Sequence, residues 1–222
     1  MDSKGENCIS VASGANADFT EADVDSVAGV LRSADYVLLQ LEIPVPSVLR
    51  AAKIAHEAGA IVILNPAPAT ALPEELFRNI DLFIPNRTEL STFSGVQVKS
   101  ETDILRAAKI MTGKGVSRLI VTLGSEGSLI TDGDACTRVP AKKVKAVDAT
   151  AAGDTYCGAL CVALSEGKSL EDAARFATEA SAITVQRAGA QNSIPCRREL
   201  ETASKPSHPG AAKPENVILA TV

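Results

Sequence analysis

The chain has 222 residues and a formal net charge of -5, which results from 22 basic and 27 acidic side chains. This acidic excess argues against a polyanionic partner such as nucleic acid or an anionic membrane surface. With 45% hydrophobic residues the chain can fill a sizeable core, which excludes disorder as its main state. No stretch reaches the roughly 18 to 20 apolar residues of a membrane span, so we expect a soluble protein.

The cysteines are also informative about the compartment. Five of them are spread along the chain without a CxxC pair or a cluster of Cys and His. This arrangement is not typical of a disulfide framework or of a zinc site. The polar stretch 1–6 is not followed by an apolar run, so it lacks the features of a secretion signal. We therefore predict a protein of the reducing cytoplasm.

Short β-branched runs alternate with segments of helical period along most of the chain, which predicts βαβ units and a mainly parallel sheet. Asn7–Val11 has a strand-like pattern, but no strand-loop-helix unit precedes it, so the sequence looks as though it starts within a fold. The further predicted strands are 36–40, 60–64, 82–84 and 118–123. The predicted helices are 20–31, 46–59, 73–77, 101–111, 153–165 and 170–186.

Two features distinguish the second half of the chain. The runs 128–131 and 136–140 flank an Asp-Gly turn signal, which predicts a hairpin that adds an antiparallel edge to the sheet. Beyond Leu200, the stretch 205–214 contains three prolines and one glycine and cannot hold a helix or a strand. We therefore predict one domain over residues 1–200 and a flexible tail over 201–222.

The strongest chemical signal is the stretch Val144–Thr155. We predict that a strand here leads into a loop of small residues that opens a long helix. The free N–H groups and the dipole of such a helix start form an anion site. Asp154, in the first turn, could take a proton from an attacking hydroxyl in phosphoryl transfer. It could equally be a helix cap, and the spacing leaves both interpretations open.

Other loops follow predicted strands at the carboxyl end of the sheet, where open α/β sheets bind ligands. They include Asn65–Pro68 and Pro85–Glu89. Glu89 could hold Mg²⁺ through water, or it could be an ordinary glutamate of a first helical turn. Gly124–Gly127 could seat a phosphate or a ribose by its backbone, or it could be only a turn.

Five motifs resemble, in order and spacing, those of the ribokinase branch of the PfkB-type carbohydrate kinases. They are 65–68, 85–89, 122–127, 147–156 and 187–195. The resemblance extends from about Gly5 to Pro195. It implies an α/β, three-layer ribokinase-like fold, with helices on both faces of a mainly parallel sheet and an antiparallel edge hairpin. It also implies ATP-dependent phosphorylation of a sugar's primary hydroxyl. The stretches 65–69 and 188–191 favour D-ribose, with ribose 5-phosphate as the product.

The resemblance also implies roles for individual residues. Asp154 would be the base that deprotonates the sugar, and Glu42 would contact the sugar. The anion hole for the phosphoryl group would consist of the N–H groups of Ala151, Ala152, Gly153 and Asp154. The ATP site would include Asn86, Thr122, Leu123, Gly124, Ser125, Glu126, Gly127, Gly153, Asp154 and Thr178.

Two ions and a partner follow from the same resemblance. Mg²⁺ would accompany ATP and be ordered through water by Glu89. K⁺ would act as an activator in a site formed by Asp148, Thr150, Thr184, Arg187, Gly189 and Ser193. The family forms homodimers through lid strands, which this chain largely lacks.

The family's first strand, its Gly-Gly sugar-binding elements and most of its lid have no counterpart before Met1. We therefore expect an N-terminally incomplete kinase, and these gaps put the activity of the chain on its own in doubt. One alternative is a non-catalytic remnant that binds a nucleotide or a partner, and another is a kinase for a different small sugar or nucleoside. Asp154 and its anion loop favour a kinase, because a remnant has no chemical need of that base.

Overall fold

A computed structural model describes residues 12–132, 135–203 and 218–219 of the chain. Within these ranges, seven strands form one sheet. The strands are β1 (Tyr36–Leu39), β2 (Ile61–Leu64), β3 (Leu82–Phe83), β4 (Arg118–Thr122), β5 (Ser128–Asp132), β6 (Ala135–Val139) and β7 (Ile218–Leu219). Their order across the sheet is β6-β5-β4-β3-β2-β1-β7.

Helices connect and cover these strands. They are α1 (Glu21–Ser26), α2 (Ala28–Arg32), α3 (Val45–Glu57), α4 (Glu74–Phe77), α5 (Arg87–Ser94), α6 (Glu101–Gly113), α7 (Ala152–Ser165), α8 (Leu170–Thr184) and α9 (Arg197–Ala203). None of the helices in the described ranges has the length and apolarity that a membrane crossing requires.

The sheet is mainly parallel, as predicted. Strands β1 to β4 pair in parallel, whereas β5 and β6 form an antiparallel hairpin at one edge. The turn residues Gly133 and Asp134 lie outside the described residues. Because both faces of the central strands are covered, β2 has an apolar side chain at every position rather than alternating with polar ones.

Two buried clusters separate the helices into layers. Val62 and Leu64 of β2 belong to a cluster that also contains residues of α3 and α6. Ile63, which points the other way, belongs to a second cluster with residues of α7 and α8. This division gives three layers, with α7 and α8 together on one face of the sheet.

Several helix ends follow the sequence signals. Thr20 and Asp23 form a capping box at the start of α1. The helix predicted over 20–31 is divided into α1 and α2, because the N–H of Val27 donates to the carbonyl of Val24, three residues back, in a tighter turn. Pro46 lies in the first turn of α3, and Gly59 follows that helix with a φ of 87°.

The strand predicted around Val144–Val147 does not form. The N–H groups of Val147 and Asp148 instead donate to the carbonyl of Val185, at 2.7 and 3.2 Å, just after α8. The backbone is therefore bonded to the end of a helix and not to a neighbouring strand. The predicted strand Asn7–Val11 lies outside the described residues.

The C-terminal region also differs from the predicted flexible tail. Residues 201–203 continue α9, and Ile218 and Leu219 pair in parallel with Val37 and Leu38 of β1. An open sheet edge offers unpaired N–H and C=O groups, which explains why a short apolar segment can pair there. The remaining tail residues lie outside the described ranges.

Gly127, before β5, is a position where the described part of the chain leaves room only for glycine. Its φ is 95°, and a Cβ atom built there would lie 2.0 Å from the carbonyl oxygen of Val139. We expect Gly127→Ala to lower the free energy of unfolding by about 2 to 4 kcal/mol, from backbone strain and the clash together. Gly124→Ala is the matched control, because Gly124 also has a positive φ, 57°, but open space around it. Urea unfolding of both variants measures the difference, and equal losses would contradict the close approach.

Candidate active site

A cavity of about 670 Å³ lies where strands β1 and β2 end. Its lining combines Gln40, which follows β1, Asn65, which follows β2, and Asp154 from the first turn of α7. The carboxyl ends of parallel strands are the usual ligand-binding edge of such a sheet. The cavity therefore brings the predicted base beside two side-chain amides that can bind hydroxyl groups.

The sequence analysis assigns no role to Gln40 and includes Asn65 only as part of the loop 65–68. Gln40 was predicted as the last residue of a strand, but β1 ends at Leu39, so Gln40 begins the loop at the ligand-binding edge. Asn65 is held in place by two bonds: its N–H donates to the carbonyl of Leu39 at 2.9 Å, and its Nδ2 donates to the carbonyl of Ile84 at 2.8 Å. The amide is thus fixed against the ends of neighbouring strands and can present its oxygen as an acceptor.

The first turn of α7 has the geometry of an anion site. Ala151 adopts a left-handed conformation, with φ 60° and ψ 11°, and its side chain provides no cap. The N–H groups of Gly153 and Asp154 belong to the first turn, which has no intrahelical acceptors. The N–H of Ala152 donates to the carbonyl of Ala149 at 3.2 Å, so this predicted donor is engaged. Non-glycine residues in such strained conformations cluster at functional sites.

Asp154 is exposed and lies on the cavity. It is the third residue of α7, and the cap position belongs to Ala151. Within the described residues, its carboxylate makes no hydrogen bond or ion pair. Asp154 therefore does not cap α7 by a side-chain bond, and its carboxylate is available to a ligand in the cavity.

The two predicted nucleotide loops are neighbours. The N–H of Thr122 donates to the carbonyl of Pro85 at 2.9 Å, and Thr122 forms a parallel bridge with Asn86. An ion pair at 2.7 Å joins Arg87 to Glu126. The loop that starts α5 and the loop after β4 thus form one continuous surface at the ligand-binding edge.

Glu89 is the capping glutamate of α5. It accepts bonds from the N–H and the Nδ2 of Asn86, both at 2.8 Å. Its side chain is buried, and this burial raises the pKa of the carboxyl, while the bond from the Asn86 backbone opposes the shift. Each carboxylate oxygen keeps a second lone pair that could accept a bond from a metal-bound water.

Cys157 connects Glu89 with the base. The thiol is fully enclosed, and burial is the main reason that its pKa lies well above the usual range. The carboxylates of Asp154 and Glu89 both raise this pKa further. The charges of the α5 cap and of the predicted base of α7 therefore both act on this thiol.

Three of the residues predicted to hold K⁺, Asp148, Thr150 and Gly189, are joined by hydrogen bonds. The carboxylate of Asp148 accepts bonds from the N–H and hydroxyl of Thr150, at 2.9 and 2.7 Å, and from the N–H of Gly189 at 3.1 Å. These bonds, led by the Thr150 hydroxyl, hold the pKa of Asp148 below its usual value. Thr184 and Ser193 lie within five residues of Gly189 in the sequence, and both are fully buried. The carbonyl of Thr184 accepts a bond from the N–H of Arg187 at 3.0 Å.

Of the predicted site residues, Ala151 and Asp154 line this cavity, whereas the others, including Glu42 and Thr178, do not. Glu42 is exposed, and its backbone N–H donates to the Oε1 of Gln40. Thr178 lies on α8, where its hydroxyl donates to the carbonyl of Ala174 at 2.8 Å. After β1, Gln40 lines the cavity, whereas Glu42 does not.

Comparison with known proteins agrees with this geometry. Residues 1–197 match the model of the pfkB family of carbohydrate kinases. The chain is 44% identical, over 201 residues, to a bifunctional ribokinase/ribose-5-phosphate isomerase A of Fructilactobacillus sanfranciscensis, a match that covers 90% of this chain and 37% of that protein. It is 39% identical to the ribokinase of Staphylococcus aureus, with coverages of 90% and 66%.

Solved structures give the same result. The ribokinase of Thermotoga maritima matches with a TM-score of 0.81 and 41% identity, covering 90% of this chain and 66% of that one. The ribokinase of Arabidopsis thaliana complexed with ribose and ATP matches with a TM-score of 0.85 and 37% identity, with coverages of 90% and 65%. The predicted three-layer ribokinase-like fold is therefore confirmed. The chain spans two thirds or less of the length of these relatives.

Proposed function

Because the chain belongs to the pfkB family of carbohydrate kinases, we propose that it catalyses the transfer of the γ-phosphoryl group of ATP to the primary hydroxyl of D-ribose. One observation carries the proposal: Asp154 and the first turn of α7 share a cavity with two amides at the ends of β1 and β2. The choice of ribose is supported by the similarity to ribokinases, one of which was solved with ribose and ATP.

In this proposal the sugar lies in the cavity and bonds to the amides of Gln40 and Asn65. Its primary hydroxyl faces Asp154, which accepts the proton as the oxygen attacks the γ-phosphorus. The fixed orientation of Asn65 supports this role, because holding the hydroxyl near the base and the phosphorus lowers the entropic barrier to reaction.

The first turn of α7 then stabilises the transferred phosphoryl group. The N–H groups of Gly153 and Asp154 point out of the helix start, together with the positive end of its dipole. These donors are fixed by the backbone before the substrate binds, so no reorganisation is needed as negative charge develops on the phosphoryl oxygens.

ATP would bind along the surface formed by Asn86 and the loop Thr122–Gly127. Mg²⁺ bound to its phosphates would neutralise their charge. Glu89 fits a role in ordering this ion through water, because its buried carboxylate has free lone pairs and lies beside Asn86 of the proposed ATP surface. Thr178 would lie towards the adenine, as the family resemblance implies.

K⁺ would bind between the loops of Asp148 and Gly189. A monovalent cation prefers oxygen ligands, and the predicted set consists of carbonyl and carboxylate oxygens together with Ser193. The bonds that Asp148 accepts from the N–H groups of Thr150 and Gly189 support the proposal, because they hold the loop before α7 and the loop after α8 close together. An ion there would stiffen the turn that leads into the anion site.

The proposed compartment is the reducing cytoplasm. Cys136, Cys157, Cys161 and Cys196 are all free thiols, of which Cys196 is exposed. Free exposed thiols persist where glutathione and thioredoxin keep them reduced, which supports this localisation.

The test of the function uses the full chain with ATP and Mg²⁺. We expect calorimetry to detect ATP binding and mass spectrometry to detect ribose 5-phosphate, formed only when ribose is present. Binding of ATP without any phosphorylated sugar would favour the non-catalytic alternative. Absence of both would contradict the proposed function.

Asp154→Asn tests the base directly. We expect turnover to fall by about 10²- to 10⁴-fold, the usual contribution of a positioned proton acceptor, while the affinity for ATP stays within about twofold. Asp172→Asn is a matched control, because Asp172 is also the third residue of its helix but belongs to α8 and does not line the cavity. A variant of Asp154 with normal turnover would exclude it as the base.

Replacement of Na⁺ by K⁺ at constant ionic strength tests the cation site. We expect ribose-dependent turnover to rise in K⁺, because the ordered loop aligns the donors of α7. Asp148→Asn should abolish the difference between the two salts. Equal rates of the unmodified chain in K⁺ and Na⁺ would contradict the site.

A further inference from the structure

A buried pair of hydroxyl groups joins the two halves of the site. We propose that Tyr156 and Ser128 are positioning residues, whose mutual hydrogen bond fixes the distance between the nucleotide loop Thr122–Gly127 and the first turn of α7. The inference rests on the proposed function, because it assigns these residues to the same phosphoryl transfer.

The bond itself is enclosed. The Oγ of Ser128 lies 3.0 Å from the phenol oxygen of Tyr156. Ser128 has no exposed surface, and Tyr156 is 6% exposed. Burial keeps the pKa of the Tyr156 phenol far above neutral pH, so the group stays protonated and can donate.

Ser128 is fixed to the nucleotide loop. It is the first residue of β5, where it pairs with Thr122 of β4 on one side and with Val139 of β6 on the other. Directly before it, the N–H of Leu123 donates to the carbonyl of Gly127 at 2.8 Å and closes the loop. A displacement of Ser128 would therefore displace the loop.

Tyr156 is fixed to the catalytic turn. It follows Asp154 by two residues on α7, and its ring packs in the buried cluster with Ile120 of β4 and Ile130 of β5. Packing of apolar groups is not directional, so it allows a helix to slide over a sheet by small amounts. A hydrogen bond between enclosed hydroxyls depends strongly on distance and angle, and neither oxygen can turn to water instead.

The bond thus gives α7 a defined position relative to the loop that holds ATP. In phosphoryl transfer the attacking oxygen, the phosphorus and the leaving oxygen must lie nearly in line. In the proposed function, Asp154 and the N–H donors of α7 act on the attacking oxygen and the phosphoryl group, and the nucleotide loop determines the position of the leaving oxygen. A small change in their separation would therefore weaken both ATP binding and turnover.

The test compares Tyr156→Phe with Tyr36→Phe. These are the only tyrosines of the chain. The hydroxyl of Tyr36 donates to the carbonyl of Leu164 at 3.2 Å, near the opposite end of α7. Each variant removes one hydroxyl whose bond joins α7 to the sheet, but only the bond of Tyr156 reaches the strand that follows the nucleotide loop. Three quantities are measured: the melting temperature, the Kd for ADP, and the hydrogen exchange of amides 122–127.

We expect Tyr156→Phe to raise the Kd for ADP by about two- to tenfold, the range that one hydrogen bond of typical strength supports. Hydrogen exchange in 122–127 should become faster, although the substitution lies on α7. Turnover with ribose should fall beyond the change in affinity. Tyr36→Phe should lower the melting temperature without these effects.

The double variant Tyr156→Phe/Ser128→Ala separates positioning from stability. Removing both hydroxyls leaves no unsatisfied polar group, so the melting temperature should recover towards that of the unmodified chain. If the bond positions the loop, ADP affinity and the exchange rates should not recover with it.

Two results would overturn the positioning role while leaving the proposed function intact. In one, Tyr156→Phe lowers only the melting temperature. In the other, ADP affinity in the double variant recovers in step with stability. Failure of the proposed function has a different signature, because the unmodified chain itself would then form no ribose 5-phosphate, whether or not it binds ADP. The positioning role would fall with it.

Discussion

The geometry of the site depends on one constraint, the start of α7 at the carboxyl edge of a parallel sheet. The first turn of a helix has N–H groups without acceptors, and here no side chain caps them. Ala151 accepts a left-handed backbone so that the chain can enter the helix at this point. The same turn carries Asp154, so the donors for a phosphoryl group and the carboxylate that would act on its acceptor have one rigid support.

The rest of the structure keeps this turn in place. Asp148 binds the loop before α7 to the loop after α8, and Ser181 of α8 donates to the carbonyl of Ala152 at 2.9 Å. The hydroxyl of Thr184 also bonds to Thr155, at 3.0 Å between two buried residues. On the opposite side, Tyr156 reaches the sheet through Ser128. Polar bonds from both α8 and the sheet therefore surround a helix start whose own donors are not capped by a side chain.

Local patterns in the sequence were sufficient to predict most of the fold and to locate part of the candidate site. The apolar runs predicted β1 to β6 almost at their observed bounds. The predicted helices 101–111 and 170–186 begin at the same residues as α6 and α8. The strand near Val144 was wrong because its N–H partner, the carbonyl of Val185, is distant in sequence. The Tyr156–Ser128 bond and the pairing of Ile218 with β1 were not predicted, because they too join residues that are distant in sequence. The roles of Asp154, Glu89 and Asp148 stay predictions.

The central claim is that the first turn of α7 binds phosphate. Amide NMR of the ¹⁵N-labelled chain tests it most directly, with a non-hydrolysable ATP analogue and Mg²⁺ compared with adenosine. We predict that the ATP analogue shifts the amide signals of Gly153 and Asp154 together with those of Gly124–Gly127, whereas adenosine leaves Gly153 and Asp154 unchanged. Signals of Gly153 and Asp154 that stay in place while the ATP analogue shifts other residues would contradict the account.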